Sequence, residues 1–230
     1  MEKEKPDFEQ SIEAFLGSKI HETLDFVYKK KEEFSLDRVI KYFIESWNGD
    51  YKGDLKIVRE DLKTEYYFNK GIKFLIDYYL KHYPFIDDTI ETEKKICVYL
   101  DEDKEYSLIG YIDRLVRHKD TNDFEIHDYK TGSLKSQEEL DKDRQLAIYS
   151  LGIREIFNNV NKVKLVWHFL DSNQMLSSER TLEQLEKLKK EILEIIKRIE
   201  STEEFKPNKT KLCDWCEYKS KCPEFRNQHT

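Results

Sequence analysis

Ile12, Phe15, Leu16, Ile20, Leu24 and Val27 recur at steps of three and four, which predicts an amphipathic helix from about Asp7 to Lys31. Gly17 lies inside it, where glycine costs about 1 kcal/mol relative to alanine, so it is either tolerated or marks a close approach by another element. Ser35 is placed to cap a second helix carrying Val39, Phe43, Ile44 and Trp47, which Asn48-Gly49 stops. A third helix is expected from Asp61 to Tyr83, ending before Pro84. The period then falls to two. Ile96, Val98 and Leu100 alternate with Cys97 and Tyr99 in a first strand. Tyr106 to His118 and Asp123 to Lys130 read as two more, with polar turns at 101–104 and 119–122. Asp141 to Phe157 is helical in pattern, and Val163, Leu165, Trp167 and Phe169 mark a fourth strand. Thr181 with Gln184 forms a capping box opening a helix with Leu182, Leu185, Leu188, Ile192, Ile195 and Ile199 on one face. The fourth strand follows a helical crossover, which predicts a parallel neighbour. The expectation is one domain of α/β class, a mixed sheet flanked by helices: a helical part (1–85), an α/β core (86–200) and a cysteine-containing tail (201–230).

Composition narrows this picture. Of 230 residues, 38% are charged and 13% aromatic; the ring content argues against disorder, despite a mean hydropathy of -0.80. No apolar run approaches the roughly 18 residues of a membrane span. The acidic, polar start MEKEKPDFEQ is no signal peptide, so a cytoplasmic location is expected. The net charge of -7 counts against a protein that coats nucleic acid non-specifically, while leaving room for an enzyme that holds it locally.

Several groups carry chemistry. Asp128 and Lys130, two apart on a strand, share a face with Phe124 and Ile126 behind them. An acid and a base at the end of an apolar row form either a salt bridge or a metal carboxylate beside a water-positioning lysine. On the preceding strand, Asp113 falls in a row with Ile109, Tyr111 and Leu115, next to Gly110. In simple hairpin register Asp113 and Asp128 are neighbours, and two such carboxylates repel unless a cation separates them. Mg²⁺ or Mn²⁺ suits an oxygen-rich site of this kind. His21 sits at the edge of the first helix's apolar face, as a core histidine or a ligand. Gln145 and Tyr149, four apart, share a helix face. Cys213, Cys216 and Cys222 are spaced as metal or cluster ligands, and His229 is a fourth zinc ligand by type. Cys97, on the first strand, is expected to behave as a small buried hydrophobe away from them. No partner for His82, His118, His127 or His168 is evident.

Taken in order, His21 in GSKIHETL, Asp113 in GYIDR, Asp128 and Lys130 in DYKTG, Gln145 and Tyr149 in QLAIYSL, and the tail CDWCEYKSKC, the set resembles the PD-(D/E)XK nuclease superfamily. It is most similar to the RecB-like exonuclease branch that includes CRISPR-associated iron–sulfur nucleases. The resemblance implies a restriction-endonuclease-like fold and a divalent-metal-dependent deoxyribonuclease, an exonuclease or end-processing enzyme of repair, recombination or CRISPR-type processing. It implies that His21, Asp113 and Asp128 hold Mg²⁺ or Mn²⁺ with the Tyr129 carbonyl, and that Lys130 orients or activates the attacking water. Gln145 and Tyr149 would support the site and the DNA strand; Glu91 or Glu93 is an outer candidate. The substrate implied is DNA, single-stranded or at ends, with a helicase or CRISPR-type protein as partner and no membrane. Cys213, Cys216 and Cys222 would be three of four ligands of a 4Fe-4S cluster. The family's first cysteine precedes the histidine helix, and no cysteine stands before His21 here, so an incomplete cluster is expected. The alternative is a non-catalytic DNA-binding or assembly subunit retaining the fold, which would be expected to lose Lys130 or an acid; none is lost.

Overall fold

The computed structural model describes residues 10–30 and 34–226. Three helices come first: α1 (Ile12–Lys30), α2 (Leu36–Asp50) and α3 (Thr64–His82). The Ser35 hydroxyl accepts a hydrogen bond from the Arg38 N–H, satisfying one of the open donors of α2. Ile20, Leu24, Phe43, Trp47, Phe74 and Leu75 interlock between the helices. Each large apolar side chain buried this way contributes about 1.5–3 kcal/mol.

A five-stranded sheet follows, ordered β1 (Thr89–Tyr99), β2 (Ser107–His118), β3 (Asp123–Lys130), β4 (Val163–Phe169) and β5 (Gln174–Glu179). Neighbours are antiparallel except β3 and β4, which run parallel across a helical crossover, as expected. The β2–β3 turn places Asn122 at φ 55°, a left-handed conformation that asparagine tolerates. The crossover differs from the expected single helix. It holds α4 (Gln137–Asp141) and α5 (Gln145–Ile156), because Asp143 Oδ1 accepts from the N–H groups of Gln145 and Leu146 and so starts a new helix. The strand β5 has no counterpart in the sequence reading. It is an edge strand without a fully buried residue, so its pattern carries no alternation, and its pairing with β4 decides its conformation.

The sheet separates two cores. Tyr129 and Leu170 pack into the three helices on one side. Ile96, Ile112, Leu115, Phe124, Ile126, Leu165 and Trp167 pack against α5 on the other. There α6 (Leu182–Glu200), opened by the Thr181–Gln184 capping box, adds Leu185. Its expected apolar face is covered only in part: Leu185 and Ile192 are buried, while Leu182 and Ile199 are exposed. The tail carries two 3₁₀ turns and the short helix α7 (Pro223–Arg226). No helix among the described residues is long and apolar enough to cross a membrane.

One expectation for β2 is corrected. Ile109 and Tyr111, placed in a buried row with Asp113, are 62% and 53% exposed, and the row facing α5 is Gly110, Ile112 and then Leu115. The alternation breaks at Asp113 and Arg114. Opposite Leu115 and Val116 β1 shifts register between Thr89 and Glu91, and Glu93, opposite Asp113, takes a left-handed φ of 48°. Such irregularities twist a strand and re-aim its side chains.

Candidate active site

The β2–β3 ladder runs from the His118–Asp123 pair to Arg114–His127 and ends there. Asp113 and Asp128 occupy the next positions, where the strands part. The Asp113 carboxylate replaces the missing backbone acceptor: its Oδ2 receives the Tyr129 N–H at 2.8 Å. From α1, His21 Nε2 lies 2.8 Å from the Tyr129 carbonyl and Nδ1 lies 3.5 Å from Asp113 Oδ1. Both backbone groups of Tyr129, its N–H and its carbonyl, are therefore held by site residues. Burial alone would lower the His21 pKa, but the hydrogen bond to Asp113, its charge and the Tyr129 carbonyl outweigh it and raise the value to about 9. The ring is then a cation donating from both nitrogens.

Glu93, on β1 opposite Asp113, completes a set with His21 and Asp113 whose ligand atoms all lie within 4.8 Å of one another. The left-handed backbone at Glu93 costs on the order of 1–3 kcal/mol. Partial desolvation and the Asp113 charge raise its pKa. Of the two outer glutamates, Glu91 instead pairs with Lys94 at 2.6 Å. His21 and Glu93 also line an open cleft of about 570 Å³, with Gly17, Ser18, Glu22 and Asp25. Gly17 is a tolerated glycine: an added Cβ would meet only Thr131 Oγ1, at 3.5 Å.

Asp128 is not in that set of three. Its side chain is 5% exposed, and its Oδ1 accepts from Lys130 Nζ at 2.9 Å. Burial and the Asp113 charge raise its pKa to about 6 against the opposing pull of Lys130. Lys130 Nζ also donates to Gln145 Oε1 at 3.3 Å, and Gln145 Nε2 donates to the Tyr149 hydroxyl at 3.3 Å. Tyr149 packs against Gly110: a Cβ there would fall 2.3 Å from the ring. All six residues quoted for the nuclease resemblance thus lie in one connected region where β2 and β3 diverge.

The opposite face of β3 holds a network that the sequence reading missed. Arg114 is 2% exposed. Its guanidinium pairs with Asp87, donates to the Tyr129 hydroxyl at 3.0 Å and to His127 Nδ1 at 2.8 Å, and lies 4.2 Å above the Tyr28 ring. His168 Nε2 lies 2.9 Å from His127 Nδ1, and His127 Nε2 donates to Glu125 at 3.0 Å. That hydrogen bond holds the Glu125 carboxyl down at about 2. Burial and then Arg114 push His127 down to about 4. Burial, with His127 and Arg114, also pushes His168 well down. His82, stacked 4.1 Å from the Tyr78 ring, is lowered to about 4 by burial and Arg114. His118 lies on the surface, 3.5 Å from Asp88 and Glu125. A signal was available: strand alternation turns Arg114, His127 and Tyr129 to the face opposite the acids, which predicts a second polar row.

The donor types of the first cluster, imidazole with carboxylate and carbonyl oxygens, fit Mg²⁺ or Mn²⁺. Asp113, Asp128 and Glu93 gather like charge that a cation would relieve. The tail does not show a comparable convergence. Cys213, in the first 3₁₀ turn, and Cys216 and Cys222, which lie outside the two turns, are half-exposed free thiols, and among the described residues they form no set of three within 4.8 Å. Cys97 lies in β1, paired with Ile109. His229 lies outside the described residues.

A family model described as the PD-(D/E)XK nuclease superfamily matches residues 2–223. The chain belongs to the PD-(D/E)XK nuclease superfamily. Its five-stranded mixed sheet between helices is the fold of that superfamily, and membership brings metal-dependent nuclease chemistry with it. No curated protein matches the sequence. A solved structure titled "Crystal structure of SSO0001" is similar, with 18% identity, a TM-score of 0.41, and 94% of this chain and 98% of that one covered.

Proposed function

We propose that this protein is a metal-dependent deoxyribonuclease of the RecB-like branch that hydrolyses phosphodiester bonds at DNA ends or in single strands. The observation that carries this reading is the meeting of His21, Glu93, Asp113, Asp128 and Lys130 where β2 and β3 part. His21, Asp113 and Glu93 would hold the ion, with Asp128 and the Tyr129 carbonyl beside them. A divalent ion there supplies a lowered pKa for water and neutralises charge on the phosphate. His21 must lose its extra proton to act as a ligand, so metal loading releases a proton.

The chain's own groups then divide the work. Lys130 spends two donors on Asp128 and Gln145, leaving a third for an attacking water or a phosphate oxygen. Asp128 keeps that ammonium aimed at the cluster. Gln145 and Tyr149 brace Lys130 from α5 and offer hydrogen bonds to the strand being cut. The ordered set of His21, Asp113, Asp128, Lys130, Gln145 and Tyr149 supports the RecB-like assignment, and with it a role in repair, recombination or CRISPR-type processing beside a helicase or CRISPR-type partner. The tail cysteines enter no step. The test is release of nucleotides from 5′- and 3′-labelled single-stranded DNA with Mn²⁺. Cleavage that a chelator abolishes is expected, and the label released first reports polarity. No metal-dependent cleavage by a folded, metal-binding protein would instead leave a DNA-binding or assembly subunit.

A further inference from the structure

A second, smaller cavity of about 270 Å³ opens between the β1–β2 hairpin and α5. It is lined by Ile96 and Val98 from β1, Leu108, Ile109 and Gly110 from β2, and Gln145, Ile148 and Tyr149 from α5. No charged side chain lines it. It falls below the roughly 300–1,000 Å³ of pockets for drug-sized ligands. The Tyr149 ring closes one side of it by packing directly on Gly110: a Cβ there would fall 2.3 Å from the ring and force it to shift.

Resting on the nuclease reading above, we infer that this slot receives one unpaired nucleobase of the strand whose phosphate reaches Lys130. The argument is one of continuity. Gln145 lines the slot and also accepts from Lys130 Nζ, so the apolar space begins one side chain away from the ammonium that faces the phosphate. A nucleotide has that polarity, with an anionic phosphate at one end and, at the other, a flat base whose faces pack on apolar side chains. The Gln145 amide carries both donors and an acceptor, held by two 3.3 Å hydrogen bonds that a base edge can replace. A paired base is stacked and has its edge occupied, so entry requires a single strand or a base turned out of the duplex. The slot therefore selects unpaired nucleic acid by shape, apart from the chemistry at the metal cluster.

The test measures binding without turnover, with Ca²⁺ in place of Mn²⁺, by fluorescence anisotropy. Two single-stranded DNA oligonucleotides of equal length and charge are compared, one normal and one abasic over its terminal segment. The normal strand is expected to bind about 10-fold more tightly, the order of one base's stacking. Ile148→Glu, and Ile148→Gln as a milder variant, should remove that preference while leaving abasic affinity, melting temperature and Mn²⁺ binding at wild-type values. Equal affinity of the wild-type protein for both strands overturns the slot and leaves the nuclease reading standing. No affinity for either strand overturns both. A wild-type dimer that Ile148→Glu turns into a monomer assigns the slot to a second copy and also overturns it.

Discussion

Two charge clusters lie back to back on β3, and they solve burial in opposite ways. Toward the three helices, Arg114, Glu125, Asp87, His127, His168 and the Tyr129 hydroxyl form a closed network: each group described has an opposite charge or a complementary hydrogen bond, and its histidines stay neutral. Where β2 and β3 part, Asp113, Asp128 and Glu93 gather like charge, opposed chiefly by His21 and Lys130. A closed network specifies a structure; an open set of like charges is costly unless a ligand completes it. Tyr129 joins the two. Its backbone belongs to the open cluster, through Asp113 and His21, and its hydroxyl belongs to the closed one, through Arg114. The network thus sets the position of the site's backbone.

The comparison breaks first on function. Lys130→Ala should reduce cleavage on the order of 10²–10⁴-fold, with little change in melting temperature or Mn²⁺ affinity. Wild-type rates in the folded variant remove Lys130 from the mechanism.

The network should show the reverse pattern. Arg114→Met leaves Asp87 and His127 without their donor, and a loss of about 3–5 kcal/mol is expected in urea titration. A melting curve like the wild type's would mean that the network contributes nothing net.

The histidines should titrate in opposite directions in the metal-free protein. His21, raised to about 9 in the folded state, contributes stability that is complete below its unfolded value of about 6.5 and is lost as pH rises through 9. His127, lowered to about 4, stays neutral while the unfolded chain takes up a proton, so stability falls as pH drops from about 6.5 to 4. Asp128, raised to about 6, works against that fall in the same window, so the ring signals themselves are the readout. Imidazole NMR should show His21 charged and His127 neutral at pH 7; the same charge state for both would erase the contrast.

Glu93→Gln should weaken Mn²⁺ binding at least about 10-fold without lowering thermal stability, because it removes one of the mutually repelling acids. Unchanged metal affinity takes Glu93 out of the ligand set. The smallest effect belongs to the cleft wall. Gly17→Ala should stabilise α1 by about 1 kcal/mol, since its Cβ meets only Thr131. Destabilisation there would mean that α1 and the strand end pack more tightly than described.

Much of this molecule was legible in order along the chain. Period 3.6 located α1 to α3 and α6, period 2 located β1 to β4, and Ser35 and the Thr181–Gln184 pair act as caps. Those signals are local, because each side chain's face follows from the backbone period alone. The alternation of β3 likewise put Asp128 and Lys130 on one face. What depends on contacts distant in sequence was not legible. The edge strand β5 exists because β4 offers it hydrogen bonds. The break in β2 that puts Leu115, and not Ile109 or Tyr111, in the core lies opposite irregularities in β1. The choice of Glu93 over Glu91 follows from a left-handed residue facing Asp113 and a lysine that takes Glu91 away. Arg114, His127 and His168 become partners only when β2, β3 and β4 lie side by side. The sequence alone determined which residues share an element and a face; the folded sheet decided which of those faces close on themselves and which stay open for a ligand.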